Sequence, residues 1–571
     1  MTEKKFYLND QPRQDLELTL PDGRVITGQR GAPLKDFVQV LHEPGMPLIV
    51  GGILDGQLRE LTFPVKRDAS FRPLTMQEED GARIYRRSLI FLLEVAFRDL
   101  FPEAFVTIDH SVSSGGYFCQ VDGKADFTED DLRRLEKRMR SLVNEDLPFV
   151  RETVPLDEAV AHFKALGEED KVRLLKYRKR PELVLYRALK TRDYHHGYMV
   201  PSAGYLRTFA LQWLGDASFI LRFPRRAATD RLSKMERYPN LLRTFREYGT
   251  WLQKLGIPSV GALNDAIQEG HADEVILVSE ALHEMQISSM AQMIQDRRKD
   301  VGVILIAGPS SSGKTTTSKR LSIQMLARGI TPFALEMDNF FVDRERTPLL
   351  PDGSKDYESL HAMNLERLNH DVQALLAGKE VRLPRYDFIT GRSVDGETVQ
   401  LRKGEMIILE GIHGLNPELL ADIKPENSFR IYVSCLTQLN LDRHNRISTT
   451  DTRMLRRILR DARDRGYSAE DTINRWEKVT AGEKEHIFPY QENADVMFNS
   501  ALAYELCTLK PLVEPLLRQV SFGTDAYIEA KRLLRFLDWF LPTGTEFVPD
   551  NSLLREFIGG SILTKFKVWQ F

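Results

Sequence analysis

Apolar and polar residues alternate along the opening stretch of the chain, and the alternation breaks at turn-forming pairs. Leu16-Glu17-Leu18-Thr19-Leu20 predicts a strand, Pro21-Asp22-Gly23 a turn, and 24–28 the returning strand. Residues 47–56 and Leu61-Thr62-Phe63 predict further strands, so 1–70 reads as a small β-rich domain. From Gly81 the period lengthens. Leu89, Leu92, Leu93, Val95 and Phe97 give a helix with a broad apolar face, and Pro102 ends it. Thr128, three residues before Asp131, predicts a capping box at the start of a second helix. Residues 154–192 read as mostly helical and charged, and 193–224 return to glycine, proline and aromatic signals. Together 71–225 form an α+β domain, followed by a helical connector over 226–295.

Beyond residue 300 the texture changes. Strands are expected at 301–307, 333–337, 406–410, 429–435 and 494–500, alternating with helices. This order predicts a doubly wound parallel sheet in a domain spanning 296–500, with a helical extension over 501–571. The expected class is multidomain α/β.

Length and charge bound the function. A chain of 571 residues suggests three to five domains. Lys and Arg number 79 against 82 Asp and Glu, so no global basic field draws the chain to nucleic acid. RNA contact through the N-terminal half is thus unsupported by charge. Cys119, Cys435 and Cys507 lack the paired spacing of zinc or redox sites. The start MTEKKFYLND carries no apolar signal region, and no run approaches 18 apolar residues. A cytoplasmic protein without membrane partners, assembling as a homo-oligomer, is expected.

Gly308-Pro309-Ser310-Ser311-Ser312-Gly313-Lys314-Thr315 matches G-x-x-x-x-G-K-[ST] between a strand and a helix, and Thr316 follows in that helix. In such a loop backbone N–H groups wrap phosphates, Lys314 bridges the β- and γ-phosphates of ATP, and Thr315 ligates Mg²⁺. Asp338 follows a strand at its carboxyl end, where it can take an acceptor's proton and hold water on the metal. Glu410 ends the strand 406–410 and is placed to join the magnesium shell. Arg456, Arg457, Arg460, Arg463 and Arg465 recur on an amphipathic stretch whose Leu455, Ile458 and Leu459 face the other way. They form either a solvated face or a lid that neutralises a transferring phosphoryl group.

The blocks GPSSSGKTT, MDNFF, PRYDF, ILEGIHGL, RRILRDARDRG and FPYQENAD together resemble, in order and spacing, the uridine kinase and phosphoribulokinase family of P-loop kinases over about 300–500. That resemblance implies the P-loop NTPase fold, ATP and Mg²⁺ as cofactors, and a small-molecule hydroxyl acceptor. By it Asp338 is the catalytic base, Thr315, Asp338 and Glu410 serve the metal, and Arg457, Arg460 and Arg465 are lid arginines. Tyr386 and Asp387 border the nucleoside pocket, and Glu358 falls where uridine kinases bind ribose hydroxyls. Two departures stand out. Position 391 is Gly where uridine kinases carry a base-reading His, and Glu358-Ser-Leu-His-Ala-Met replaces their D-H-P-D-A-F segment.

The segment LTLPDGRVITGQRGAPLKDFV resembles the TGS domain of threonyl-tRNA synthetases, and the residues after it, to about 225, resemble their second additional, editing domain. The metal motif of that domain is lost. Its helix pair falls on Arg87 and Phe91 and its later pair on His195 and Met199, so neither zinc-dependent nor hydrolytic chemistry is expected. His195 and His196 read as ordinary polar residues of a loop. The leading expectation is an ATP- and Mg²⁺-dependent nucleoside kinase. The alternatives are a sugar-phosphate or pantothenate-type kinase, and an RNA- or ribosome-associated protein controlled by nucleotide.

Overall fold

The computed structural model describes residues 13–41, 45–112, 115–236, 238–350, 352–387 and 389–568. Residues 569–571 and Phe388 of the PRYDF block lie outside them. The chain divides into two units. One runs to Glu236 and includes 442–446 and 521–529; the other comprises 237–441, 447–520 and 530–571.

The first unit opens with a five-stranded sheet in the spatial order Val25–Gln29, Asp15–Thr19, Ala69–Thr75, Ile49–Leu54, Gln57–Arg59. Asp15–Thr19 runs parallel to Ala69–Thr75, and the other pairs are antiparallel. Alternation along Asp15–Thr19 buries Leu16 and Leu18 and leaves the residues between them exposed. Leu61-Thr62-Phe63, expected as a strand, is a turn. Its carbonyls at Leu61 and Phe63 accept the N–H groups of Lys35 and Leu34 at the start of the helix Leu34–Val38. Leu61 is nonetheless fully buried, so its apolar signal reflected packing and not pairing.

The helix Glu79–Leu100 carries the main core of this unit, and every residue from Ser88 to Phe97 is buried. Each fully buried leucine or phenylalanine there contributes about 1.5–3 kcal/mol. Burial on every side, broader than the single face expected, also takes Glu94 into the core. The predicted capping box is present: the Asp131 N–H donates to Thr128 Oγ1 at 3.3 Å and the Thr128 N–H to Asp131 Oδ2 at 3.2 Å, opening Glu129–Asn144. A four-stranded antiparallel sheet has the order Ala210–Gly215, Ser218–Arg222, Gly116–Asp122, Phe105–Val112.

Residues 154–192 are less helical than expected. Helices Leu156–Ala165 and Glu169–Leu175 are there, but Thr191–Asp193, Glu182–Ala188 and Val150–Pro155 form a three-stranded antiparallel sheet. Leu183 and Leu185 point into the core while Glu182 and Arg187 point out, a short period-two signal masked by the charged helices before it.

In the second unit the helices Pro239–Lys254, Val260–Gln268 and Ala272–Asp296 precede a five-stranded sheet. Its order is Pro332–Glu336, Met406–Glu410, Val303–Ala307, Ser428–Ser434, Val496–Asn499, and every neighbouring pair is parallel. In register, Ile306 and Glu336 both stand opposite Glu410. The loop after Val303–Ala307, the residues after Pro332–Glu336 and the end of Met406–Glu410 therefore emerge at one edge. That carboxyl edge is where open α/β sheets hold ligands. Among the described residues no helix is long and apolar enough to cross a membrane.

Candidate active site

The strand Val303–Ala307 is wholly buried and delivers the chain to Gly308. A Cβ at Gly308 would lie 1.9 Å from the Val433 carbonyl oxygen, so only glycine lets the loop leave the sheet at this point. Ser311 is held at φ +58°, a conformation costly for a non-glycine residue and imposed here by the surrounding loop. The helix Lys314–Leu326 then begins with no side-chain cap at Gly313, so its positive end is turned to the loop.

Three arginines of the helix Thr449–Asp464 clamp this loop. Arg457 Nη1 donates to Ser310 Oγ at 2.7 Å, Arg453 Nη1 to the Ser310 carbonyl at 3.1 Å, and Arg456 Nη1 to the Ser311 carbonyl at 3.3 Å. Lys314 Nζ folds back onto the carbonyls of Gly308 and Pro309 at 2.9 and 3.2 Å. Burial depresses its pKa, against the pull of Glu410 and Glu556. The Ser311 and Ser312 hydroxyls are buried without a hydrogen-bond partner. Unmet polar groups inside a ring of N–H donors and cations suit a polyphosphate.

Thr315 Oγ1 donates to Glu410 Oε1 at 3.1 Å. Hydroxyl and carboxylate oxygens are the donors a magnesium ion takes. Burial raises the Glu410 pKa, with Lys314 opposing and Glu556 adding to the rise. Asp338 stands in the single turn Met337–Phe340 directly after Pro332–Glu336. Its side chain is open to solvent, but the cleft walls raise its pKa, with Lys314 opposing, Glu336 adding and Arg465 opposing. Asp338, Lys314 and Arg465 thus lie near enough to act on one another electrostatically.

Residues 303–505 match the Phosphoribulokinase / Uridine kinase family model. This region is similar to a family of P-loop small-molecule kinases. Among solved structures it resembles the possible uridine kinase from Bacillus stearothermophilus, at 24% identity over 36% of this chain and 99% of that one, with a TM-score of 0.24. D-glycerate 3-kinase from Cryptococcus neoformans var. grubii matches at 13% identity over 35% of this chain and 87% of that one, with a TM-score of 0.25. The N-terminal region matches threonine–tRNA ligases. That of Polaromonas naphthalenivorans is 38% identical over 208 residues, which is 35% of this chain and 33% of that ligase. That of Polynucleobacter asymbioticus is 36% identical over 207 residues, 35% and 32% of the two chains. The chain spans about a third of the length of these ligases.

The kinase-like region sorts the arginines differently from a simple lid. Arg456 is wholly buried and bonds Glu505, while Arg453 is bidentate to buried Glu483, so these two hold the helix in place. Arg463 pairs with its neighbour Asp464 and donates to the Glu556 carbonyl. Arg457, Arg460 and Arg465 share Asp461, and Arg465 is half exposed. Arg460 also faces Glu556 at 3.8 Å.

Expected acceptor residues divide as well. Glu358 is half-buried against Gly482, and burial raises its pKa, with Glu483 adding. The Tyr386 N–H donates to Asn339 Oδ1 at 3.3 Å, and its ring lies 5.6 Å from Phe341. Asp387 accepts the N–H groups of Ile389 and Thr390, shaping the turn between Val381–Asp387 and Arg392–Val399. Gly391, at φ +72°, ends that turn against the Arg344 side chain. That φ favours glycine over a histidine at this position.

Three residues escaped the sequence. Glu483 accepts the Ser310 N–H at 2.9 Å. Glu556 accepts the Thr316 N–H at 3.2 Å and its hydroxyl at 2.7 Å, at the first turn of the P-loop helix. His413, in ILEGIHGL, is buried, and its pKa is held down to about 4, first by burial and then by His486. Only His413 fell inside a block that sequence inspection had marked.

Proposed function

We propose that the second unit is an ATP- and Mg²⁺-dependent kinase that phosphorylates a primary hydroxyl of a ribonucleoside-like acceptor. The observation that carries this reading is Asp338 at the sheet edge shared with Lys314 and the Thr315–Glu410 pair, with Arg465 acting on it electrostatically and grouped with Arg457 and Arg460 around Asp461.

The loop N–H groups and Lys314 hold the nucleotide, with Lys314 leaving the Gly308 and Pro309 carbonyls to do so. Thr315 and Glu410 would hold Mg²⁺, which would neutralise phosphate charge, and Asp338 could fix one of its waters. Asp338 takes the proton of the acceptor hydroxyl as its oxygen bonds to the γ-phosphorus and the bond to the leaving diphosphate oxygen breaks. Arg457, Arg460 and Arg465 stabilise the charge on the moving group. Glu358 and Tyr386 face the acceptor. Glu556 withdraws from Thr316 as the nucleotide enters, since two anions cannot share one helix terminus.

The family's breadth and the glycine at 391 favour a second reading in which the acceptor is a sugar phosphate. A competition experiment separates the two, with ribo- and deoxyribonucleosides set against ribulose phosphate and the phosphorylated product measured. Product from a ribonucleoside supports the first reading; product from the sugar phosphate alone replaces it. The five-part division at 70, 225, 295 and 500, the cytoplasmic location and homo-oligomeric assembly belong to the same proposal.

A further inference from the structure

A second cluster of ionisable side chains lies in the first unit, and the kinase reading does not use it. Glu94 comes from the helix Glu79–Leu100, Glu168 and Lys171 from the start of Glu169–Leu175, and Asp193 ends the strand Thr191–Asp193. His195 follows two residues later, and His444 comes from the segment 442–446. None of the six is more than 6% exposed.

Spacing is the first sign of what this cluster could hold. Glu94 Oε2 stands 3.5 Å from His195 Nε2 and 3.6 Å from His444 Nδ1, and Asp193 Oδ2 is 2.8 Å from His444 Nδ1. One ligand atom each from Glu94, Asp193 and His444 lie within 4.8 Å of one another. A tetrahedral ion with bonds of about 2.0–2.1 Å sets its ligand atoms roughly 3.4 Å apart, close to these separations. Unmet polarity is the second sign. Neither Glu94 oxygen nor His195 Nε2 has a hydrogen-bond partner, and Arg98 stands 3.1 Å from Glu94 Oε1 without hydrogen-bond alignment. A buried carboxylate left in that state is strongly disfavoured.

Charge is the third sign. Asp170 is balanced by Arg443. Among the described residues Lys171 and Arg98 are the lysine and arginine that ion-pair with Glu94, Glu168 and Asp193, and buried Asp442 takes the Tyr194 hydroxyl instead. A divalent cation would offset the excess. The cavity beside Glu94, Arg98 and His444 holds about 10 Å³, room for an ion or a water but no organic substrate.

We propose that Glu94, Asp193 and His444, with His195 beside them, bind a structural divalent transition ion of the Zn²⁺ class. Two imidazoles select such an ion over Mg²⁺ or Ca²⁺. Lys171, which now contacts His444 Nδ1 at 3.2 Å, gives up that contact to the ion and keeps Glu168 at 2.8 Å. Of the four aligned positions of the lost motif the site uses only His195, and Glu94, Asp193 and His444 lie outside that motif, which is why the sequence predicted no metal here. Its ligands are also too scattered in sequence for any spacing motif.

The test uses the full-length chain, untagged, stripped of metal and titrated with Co²⁺ without nucleotide, alongside Glu94→Gln and His444→Asn. Expected is one equivalent giving the intense visible bands of tetrahedral cobalt, which an oxygen-only set such as Thr315 and Glu410 does not give, and a rise in melting temperature. Both signals are lost in both variants, whose metal-free melts show that they fold. Wild-type protein without those bands or that rise overturns the proposal and leaves a metal-free ion-pair cluster. Bands retained in both variants overturn it equally.

Discussion

Asp338 is open to water yet its pKa is raised by the cleft around it, with Lys314 and Arg465 opposing the rise. The sign fixes the prediction. A base with a raised pKa is protonated already at mildly acidic pH, so kcat/KM falls as pH drops through a value above the ordinary Asp range of about 3.9. A pH–rate profile checks this: Asp338→Asn loses that acid limb, and a limb unchanged in the variant assigns it to another group. Glu556 stands where the nucleotide's phosphates would bind. Its carboxylate occupies the Thr316 N–H and hydroxyl, so Glu556→Gln tightens ATP several-fold by calorimetry, while a weaker or equal affinity makes Glu556 part of the nucleotide's own wall. Lys314, Thr315 and Glu410 were legible in the sequence because one short motif and one strand end mark them. Glu483 and Glu556 were not, because each reaches the loop from another element, Glu556 from 240 positions beyond Thr316.

The helix Thr449–Asp464 shows what a sequence pattern resolves at the level of an element. Its apolar stripe was readable, and Leu455 and Ile458 are fully buried. Its arginines look alike in sequence but do two jobs. Arg456 is sealed against Glu505, so Arg456→Ala leaves a buried carboxylate unpaired and costs about 3–5 kcal/mol in denaturant unfolding. Arg465 is half exposed, so Arg465→Ala stays within about 0.5 kcal/mol of wild type while kcat falls. Equal stability losses in the two variants would contradict this division. The strand Glu182–Ala188 shows the opposite case. Its alternation is too short to outweigh the charged helices before it, and only pairing with Val150–Pro155 and Thr191–Asp193 makes it a strand.

Across the whole molecule, the parallel sheet was legible because its strands are mostly apolar runs, Ser428–Ser434 with its central Arg430 being the exception, a pattern that survives without knowledge of neighbours. Contacts between distant segments were not. His444 meets Asp193 across 251 positions, and the buried cluster they share carries no local signature. The formal net charge of −3 also suits a small-molecule enzyme better than an RNA-coating protein. Phosphoryl transfer to an acceptor hydroxyl at the P-loop edge is checked by acceptor-dependent release of ADP from the purified chain. ADP and phosphorylated acceptor are expected to form one for one, with turnover reduced about 10²-fold or more in Asp338→Asn while ATP still binds. Turnover unchanged in that variant, or no stimulation by any nucleoside or sugar phosphate, would contradict it.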